Sequence, residues 1–430
     1  QNVWNSAVID FMTGSAVIET LNDNANVGTI EGDAIIKTMN NGNISTIQGN
    51  AIITNMYDGN ITLMQNNAII QEMYSGIIDT MQTADGGVPG INNLYGGTIT
   101  NFLDGSYVAA LDNGTIVNMG VNTNVNYMFG GTIQNMNGGL IGEMNNGNIQ
   151  DMNGGTINNC SGGTVNNIGT TAEINHVIDG TITGSVAGGN AINIDANGKL
   201  KLLSVVPNTI DRDVLSGTGA ELFINNYTFG AGTNVSMGSG SEVHIGDASM
   251  DRLSFTGPGK VYIGAAANLG ARVVGQNASI NDLNANGIIN FNFYAGETVG
   301  SDEDLLTIVG NSGSVANHTV SIANHNFRSE TKDTINLIDD QSGTLNFNLT
   351  HGTTVGIGAN NYLLLSNANG AGNMWSLQLD KQLGLSDGGI VIGSVLTANM
   401  AVLQGMDNSV YSRMVDLRHE YTQGLWARTY

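Results

Sequence analysis

From Gly131 to Thr170 the chain repeats itself every eight residues, as GTIQNMNG, GLIGEMNN, GNIQDMNG, GTINNCSG and GTVNNIGT. Each unit carries an apolar pair three residues apart: Ile133 and Met136, Ile141 and Met144, Ile149 and Met152, Ile157 and Cys160, Val165 and Ile168. The pattern extends backwards through Ile44 and Ile47, Ile53 and Met56, Ile61 and Met64, Ile70 and Met73, and Ile78 and Met81, with fainter copies reaching Val8 and Phe11. The insertion Thr83–Gly90 (TADGGVPG) breaks the phase, which resumes at Ile91 and Leu94, Ile99 and Phe102, and Ile116 and Met119.

No helix can use this period. Eight residues at about 100° each drift by roughly 80° per unit, so no apolar stripe persists. A flat strand fails too, because residues three apart point to opposite faces. A short strand that bends removes the conflict: Ile points inward, the chain turns, and Met points inward beyond the turn. Glycine then makes the next corner. Stacked units place each apolar residue on its equivalent one coil earlier, and corner asparagines can pass amide hydrogen bonds along the rod. The expected fold is all-β, a right-handed parallel β-helix (β-solenoid) with a short C-terminal α-helix. Three units per coil, roughly 24–26 residues, are favoured over two, about 17, because Met and Phe call for a wide interior.

Composition agrees. Sixty glycines in 430 residues disfavour helices and suit corners, while 41% hydrophobic content with only 11% charged residues argues against disorder. The net charge is −23, and Lys37 is the only Lys or Arg before Lys199. Neutralising phosphates needs clustered cations, so nucleic acid is excluded as a partner, as is attraction to anionic membranes. A single cysteine allows no intrachain disulfide. No apolar run approaches the roughly 20 residues of a spanning helix, and no signal peptide is visible at Gln1.

The organisation reads as an octad-repeat solenoid over 1–185, less regular coils over 186–290, a C-terminal β-helix cap over 291–395, a helix over 396–420 and the start of a strand over 421–430. Val402, Met406, Val410, Met414 and Leu417 line one helical face. The junction YSRMVDLRHE followed by GLWARTY resembles type V autotransporters, in which a secreted passenger precedes an outer-membrane barrel. Asp416, Leu417 and Arg418 match the family's helix, and Trp426 and Arg428 its first barrel strand. The resemblance lies in architecture along the whole chain and in sequence over its last thirty or so residues. It implies a passenger displayed on the surface or outer membrane of a Gram-negative bacterium, or secreted from it. It also implies an autochaperone segment around Phe291–Asp380, a helix that threads the pore, and partnership with the chain's own C-terminal barrel. The barrel itself is not among these 430 residues. Asn399 and Asn408 are each isolated, so the paired asparagines at which one subgroup is cleaved do not occur.

No catalytic, cofactor or metal residue is assigned. The GDSG protease signature is absent, and the octad region lacks the arginine a lyase base would require. His318, His325 and His351 are read as surface residues rather than a metal cluster, and Asp302, Glu303 and Asp304 as a solvated loop. Cys160 fills a methionine slot as a small buried group. Thr132, Thr156 and Thr164 are single rather than paired, which argues against ice binding. The expected function is a non-catalytic adhesin or self-association rod of the self-associating branch, meeting host surface molecules or the same protein on neighbouring cells. Thr83–Gly90 is its clearest loop. The alternatives are a polysaccharide-acting surface enzyme and a stalk for an upstream head.

Overall fold

A computed structural model of the chain describes residues 2–4, 6–264, 277–294, 304–323, 333–357, 360–382, 390, 394–404 and 406. Among the described residues thirty-four strands join in one sheet that winds on itself as a parallel β-solenoid of about 14 turns. At about 4.8 Å per turn the rod is roughly 65 Å long.

In the first coils each strand pairs with the next but one. Val17–Leu21 lies on Ile35–Met39, and Ala25–Ile30 on Gly42–Ile47. The step from one coil to the next is 17 residues, as in the bond from Asn135 Nδ2 to Asn118 Oδ1. A coil therefore takes two repeat units, not the three expected. The reason lies in the bend inside each unit. Thr98, Ile99, Asn101 and Phe102 pair with Thr115, Ile116, Asn118 and Met119, so the ladder skips Thr100 and Val117. Each unit thus bends once, and two bent units close a coil. Methionine fits this narrower bore because glycine vacates the corners. Gly59 has φ +120°, and a Cβ there would lie 2.5 Å from both the Met39 Cε and the Gly42 carbonyl oxygen.

Inside, the apolar residues form columns as the repeat requires. Ile18, Ile36, Ile53, Ile70, Ile91, Val108, Val125, Ile141, Ile157 and Ile174 stack in register. One continuous core runs from Met12 to Leu377. Cys160 takes its place between Met144 and Val177, buried, and its thiol is pushed up to about 11 by burial.

Beyond Ile182 the coils lengthen. The step becomes 22 residues where Asn226 Nδ2 reaches the Ser204 carbonyl, then 30 where Ser279 reaches Ser249. At this transition Arg212 is buried with its guanidinium on the Ala187 carbonyl at 2.8 Å, the Ala172 carbonyl at 3.0 Å and the Gly169 carbonyl at 2.8 Å. The solenoid closes with antiparallel pairing of Gly372–Leu379 against both Thr334–Asp340 and Asn360–Asn369. Phe347 packs edge-on between Phe291 at 5.6 Å and Trp375 at 5.4 Å, an aromatic cluster at this end.

Residues 394–404 are helical, within the expected linker. Val395, Leu396, Met400, Val402, Leu403 and Met406 are exposed and do not join the core. Val410, Met414, Asp416, Leu417, Arg418, Trp426 and Arg428 lie outside the described residues, as does the strand expected over 421–430.

Candidate functional site

The outer wall repeats as faithfully as the core, because every outward side chain also meets its equivalent one coil away. Asn135 donates to Asn118, and Asn118 to Asn101, each at 3.2 Å. Gln65 donates to Gln48 at 2.6 Å, and Gln48 to Glu31 at 3.1 Å. Thr98, Thr115 and Thr132 stack in register on three successive coils, an order the eight-residue text did not reveal.

One outward column is aromatic. It consists of the residue that follows the second inward side chain of each alternate strand. The N–H of Tyr57 donates to the Met39 carbonyl, that of Tyr74 to Met56 and that of Tyr95 to Met73, each at 2.8 Å; Asp112 donates to Leu94 at 2.9 Å and Phe129 to Leu111 at 2.8 Å. The Tyr57 and Tyr74 rings stack at 4.9 Å, and Tyr74 and Tyr95 at 5.2 Å, close to the coil spacing. Tyr127 joins Phe129 at 5.8 Å. These five rings are 39–49% exposed and line up as a stripe of apolar surface along the rod. Carboxylates flank it. Glu72 accepts from Asn93 Nδ2 at 3.0 Å and raises the Tyr95 phenol above its ordinary value, with burial, Tyr74 and Asp112 adding to the rise. The Asp112 carboxylate has no hydrogen-bond or ion-pair partner among the described residues.

A second stack, Phe223, His244 and Tyr262, runs at 4.3 and 4.4 Å along the longer coils. It is largely covered and bordered by the pairs Lys199–Glu221 at 2.9 Å and Lys260–Glu242 at 2.7 Å. Desolvation lowers the His244 pKa although Glu242 and Glu221 oppose this.

The two described histidine candidates, His318 and His351, differ in their placement. His318 is buried rather than on the surface, with Nδ1 accepting the Ile289 N–H at 3.2 Å and its ring against Phe291 and Phe347. Burial holds its pKa down to about 4. His351 is exposed, and His325 lies outside the described residues. Among the described residues no three His, Cys, Asp or Glu side chains group as a metal site would require. Asp304 is buried, so it is not part of a solvated loop; Asp302 and Glu303 lie outside the described residues. The insertion after Gln82 rises only slightly, with the Gly87 N–H on the Ala84 carbonyl at 3.1 Å and the Val88 N–H on Asn67 Oδ1 at 3.1 Å.

The long-coil region and its antiparallel end carry a family signature, since the Pertactin family model matches residues 250–379. The chain carries a type V autotransporter passenger domain. The match covers about three-tenths of the 430 residues and leaves the octad region outside it. No curated protein and no solved structure matches the chain. The passenger's family places it at the surface of, or secreted from, a Gram-negative bacterium. Its signature lies in the coils and cap at 250–379, upstream of the junction whose residues suggested the resemblance.

Proposed function

We propose that this passenger is a non-catalytic adhesin or self-association rod, held out from the cell by its own C-terminal outer-membrane barrel. Its partners are host surface molecules or the same protein on neighbouring cells. The observation that carries this reading is the exposed aromatic stripe of Tyr57, Tyr74, Tyr95, Tyr127 and Phe129, set along one side of a repetitive polar rod. Stacked rings that remain half exposed leave apolar surface in water and gain further stabilisation when a partner covers it.

The test is surface display of the passenger fused to its barrel, with attachment and clumping measured from low to high ionic strength. Two copies at −23 repel each other, so clumping should rise as salt screens the charge. Changing Tyr57, Tyr74 and Tyr95 together to Thr should abolish attachment and clumping at unchanged surface level. Attachment and clumping that persist in this variant, or hydrolysis of a surface polysaccharide by the purified passenger, would overturn the reading.

A further inference from the structure

We propose that the interruption of the aromatic stripe at Asp112 receives an arginine side chain of a partner polypeptide. The guanidinium stacks on the side of Tyr95 turned away from Tyr74 and pairs with the Asp112 carboxylate. This inference rests on the adhesive reading above and names the chemistry of its partner.

The argument starts from the stacking. Tyr57, Tyr74 and Tyr95 cover one another's faces and offer mainly edges to the outside. An aromatic edge is the positive part of the ring quadrupole and the face the negative part, so a cation needs a face. The ladder ends at Tyr95. The next position in its column is Asp112, and no ring stacks on that side of Tyr95 among the described residues. One coil further on come Phe129 and Tyr127. An anion without a partner therefore sits beside an available ring face, bounded by more aromatic surface. Neighbouring carboxylates are not equivalent to it: Glu72 already accepts from Asn93, and Asp58 accepts from the Gly59 N–H at 2.8 Å.

Charge complementarity points to a cation as the group received. Among the described residues every Lys and Arg of this chain is already engaged. Lys37 pairs with Glu19, Lys199 with Glu221, Lys201 with Asp179, Arg252 with Asp282, Lys260 with Glu242 and Lys381 with Asp333. Arg212 is buried on carbonyls. Arginine is favoured over lysine because its planar fork can stack on a ring and donate to a carboxylate at once.

The experiment titrates the purified 430-residue chain with fluorescent hexa-arginine and hexa-lysine peptides at about 0.15 M ionic strength. Variants are Asp112→Asn, Tyr95→Thr and, as an equal charge change on the other strand column, Asp10→Asn. Circular dichroism and thermal melting confirm that each stays folded. Asp112→Asn and Tyr95→Thr should each weaken hexa-arginine binding about tenfold, and Asp10→Asn less than about twofold. Hexa-lysine should bind the unaltered chain more weakly than hexa-arginine. Equal effects of Asp112→Asn and Asp10→Asn would reduce the attraction to diffuse charge and overturn the inference. So would indifference to Tyr95→Thr, or a neutral oligosaccharide that binds in a Tyr95-dependent way while hexa-arginine does not. If displayed passengers still attach cells while peptide binding ignores Asp112, the inference alone fails and the adhesive reading stands.

Discussion

At the scale of single residues, the bore of the solenoid is set by what glycine lacks. Gly76 has φ +94°, and a Cβ there would lie 2.5 Å from the Gly59 carbonyl oxygen and 2.6 Å from Met56 Cε; Gly14 has φ +61° and nothing within 4 Å. Gly14→Ala should cost about 1 kcal/mol, from backbone strain alone, whereas Gly76→Ala should cost about 3 kcal/mol because overpacking is added. Urea unfolding of the two variants measures the difference. His318 is the second telling residue. Its ordinary value is 6.5 and burial holds it at about 4 in the fold. Above pH 6.5 both folded and unfolded chains keep it neutral, and no stability is lost. As pH falls below 6.5 the unfolded chain takes up a proton that the folded chain refuses. The loss accumulates down to about pH 4, reaching about 3 kcal/mol. His318→Gln should show a shallower fall of stability over this window by chemical denaturation, and an unchanged slope would contradict the burial.

At the scale of the element, each octad is a bent strand whose exterior is tied to its neighbours by amide ladders. Asn118 both donates to Asn101 and accepts from Asn135. Asn118→Ala removes two such bonds and should cost about 2 kcal/mol, while Asn135→Ala removes one and should cost about 1 kcal/mol. Unfolding of the two variants tests whether the ladder counts bond by bond. The bent strand, its inward Ile and Met, the buried Cys160 slot and the amide ladder were all legible in the text, because each follows from an apolar spacing of three within a period of eight. The number of units per coil was not. The length of methionine suggests a wider tube, whereas the corner glycines supply the space it needs. The aromatic stripe follows from the coil length and is equally hidden in the text. With a coil of about 25 residues Tyr57 would stand beside Gln82; with 17 it stands on Tyr74, and the column becomes visible. His318 misled for a different reason, since its neighbours Phe291 and Phe347 arrive from other coils and nothing local announces them.

At the scale of the whole molecule, the rod is graded from short regular coils to long ones sealed by an antiparallel, aromatic end. Units that touch only their neighbours fold by propagation, so the well-packed end is the natural place to begin. Phe291 and Phe293 are fully buried there. Replacing both with Ser should cost on the order of 6 kcal/mol or more and prevent the passenger from reaching the surface; normal display, read by antibody labelling of intact cells, would contradict a starting role for this end. The account as a whole depends on the two-unit coil, and a single distance examines it. Thr38 and Asn159 occupy one outward column, joined step by step through Asn55, Glu72, Asn93, Ala110, Tyr127 and Glu143. Spin labels at these two positions, in a chain with Cys160 replaced by Val, should report a separation of about 34 Å by pulsed dipolar spectroscopy, seven coil steps apart. A separation near 23 Å, which coils of about 25 residues would give, would contradict it.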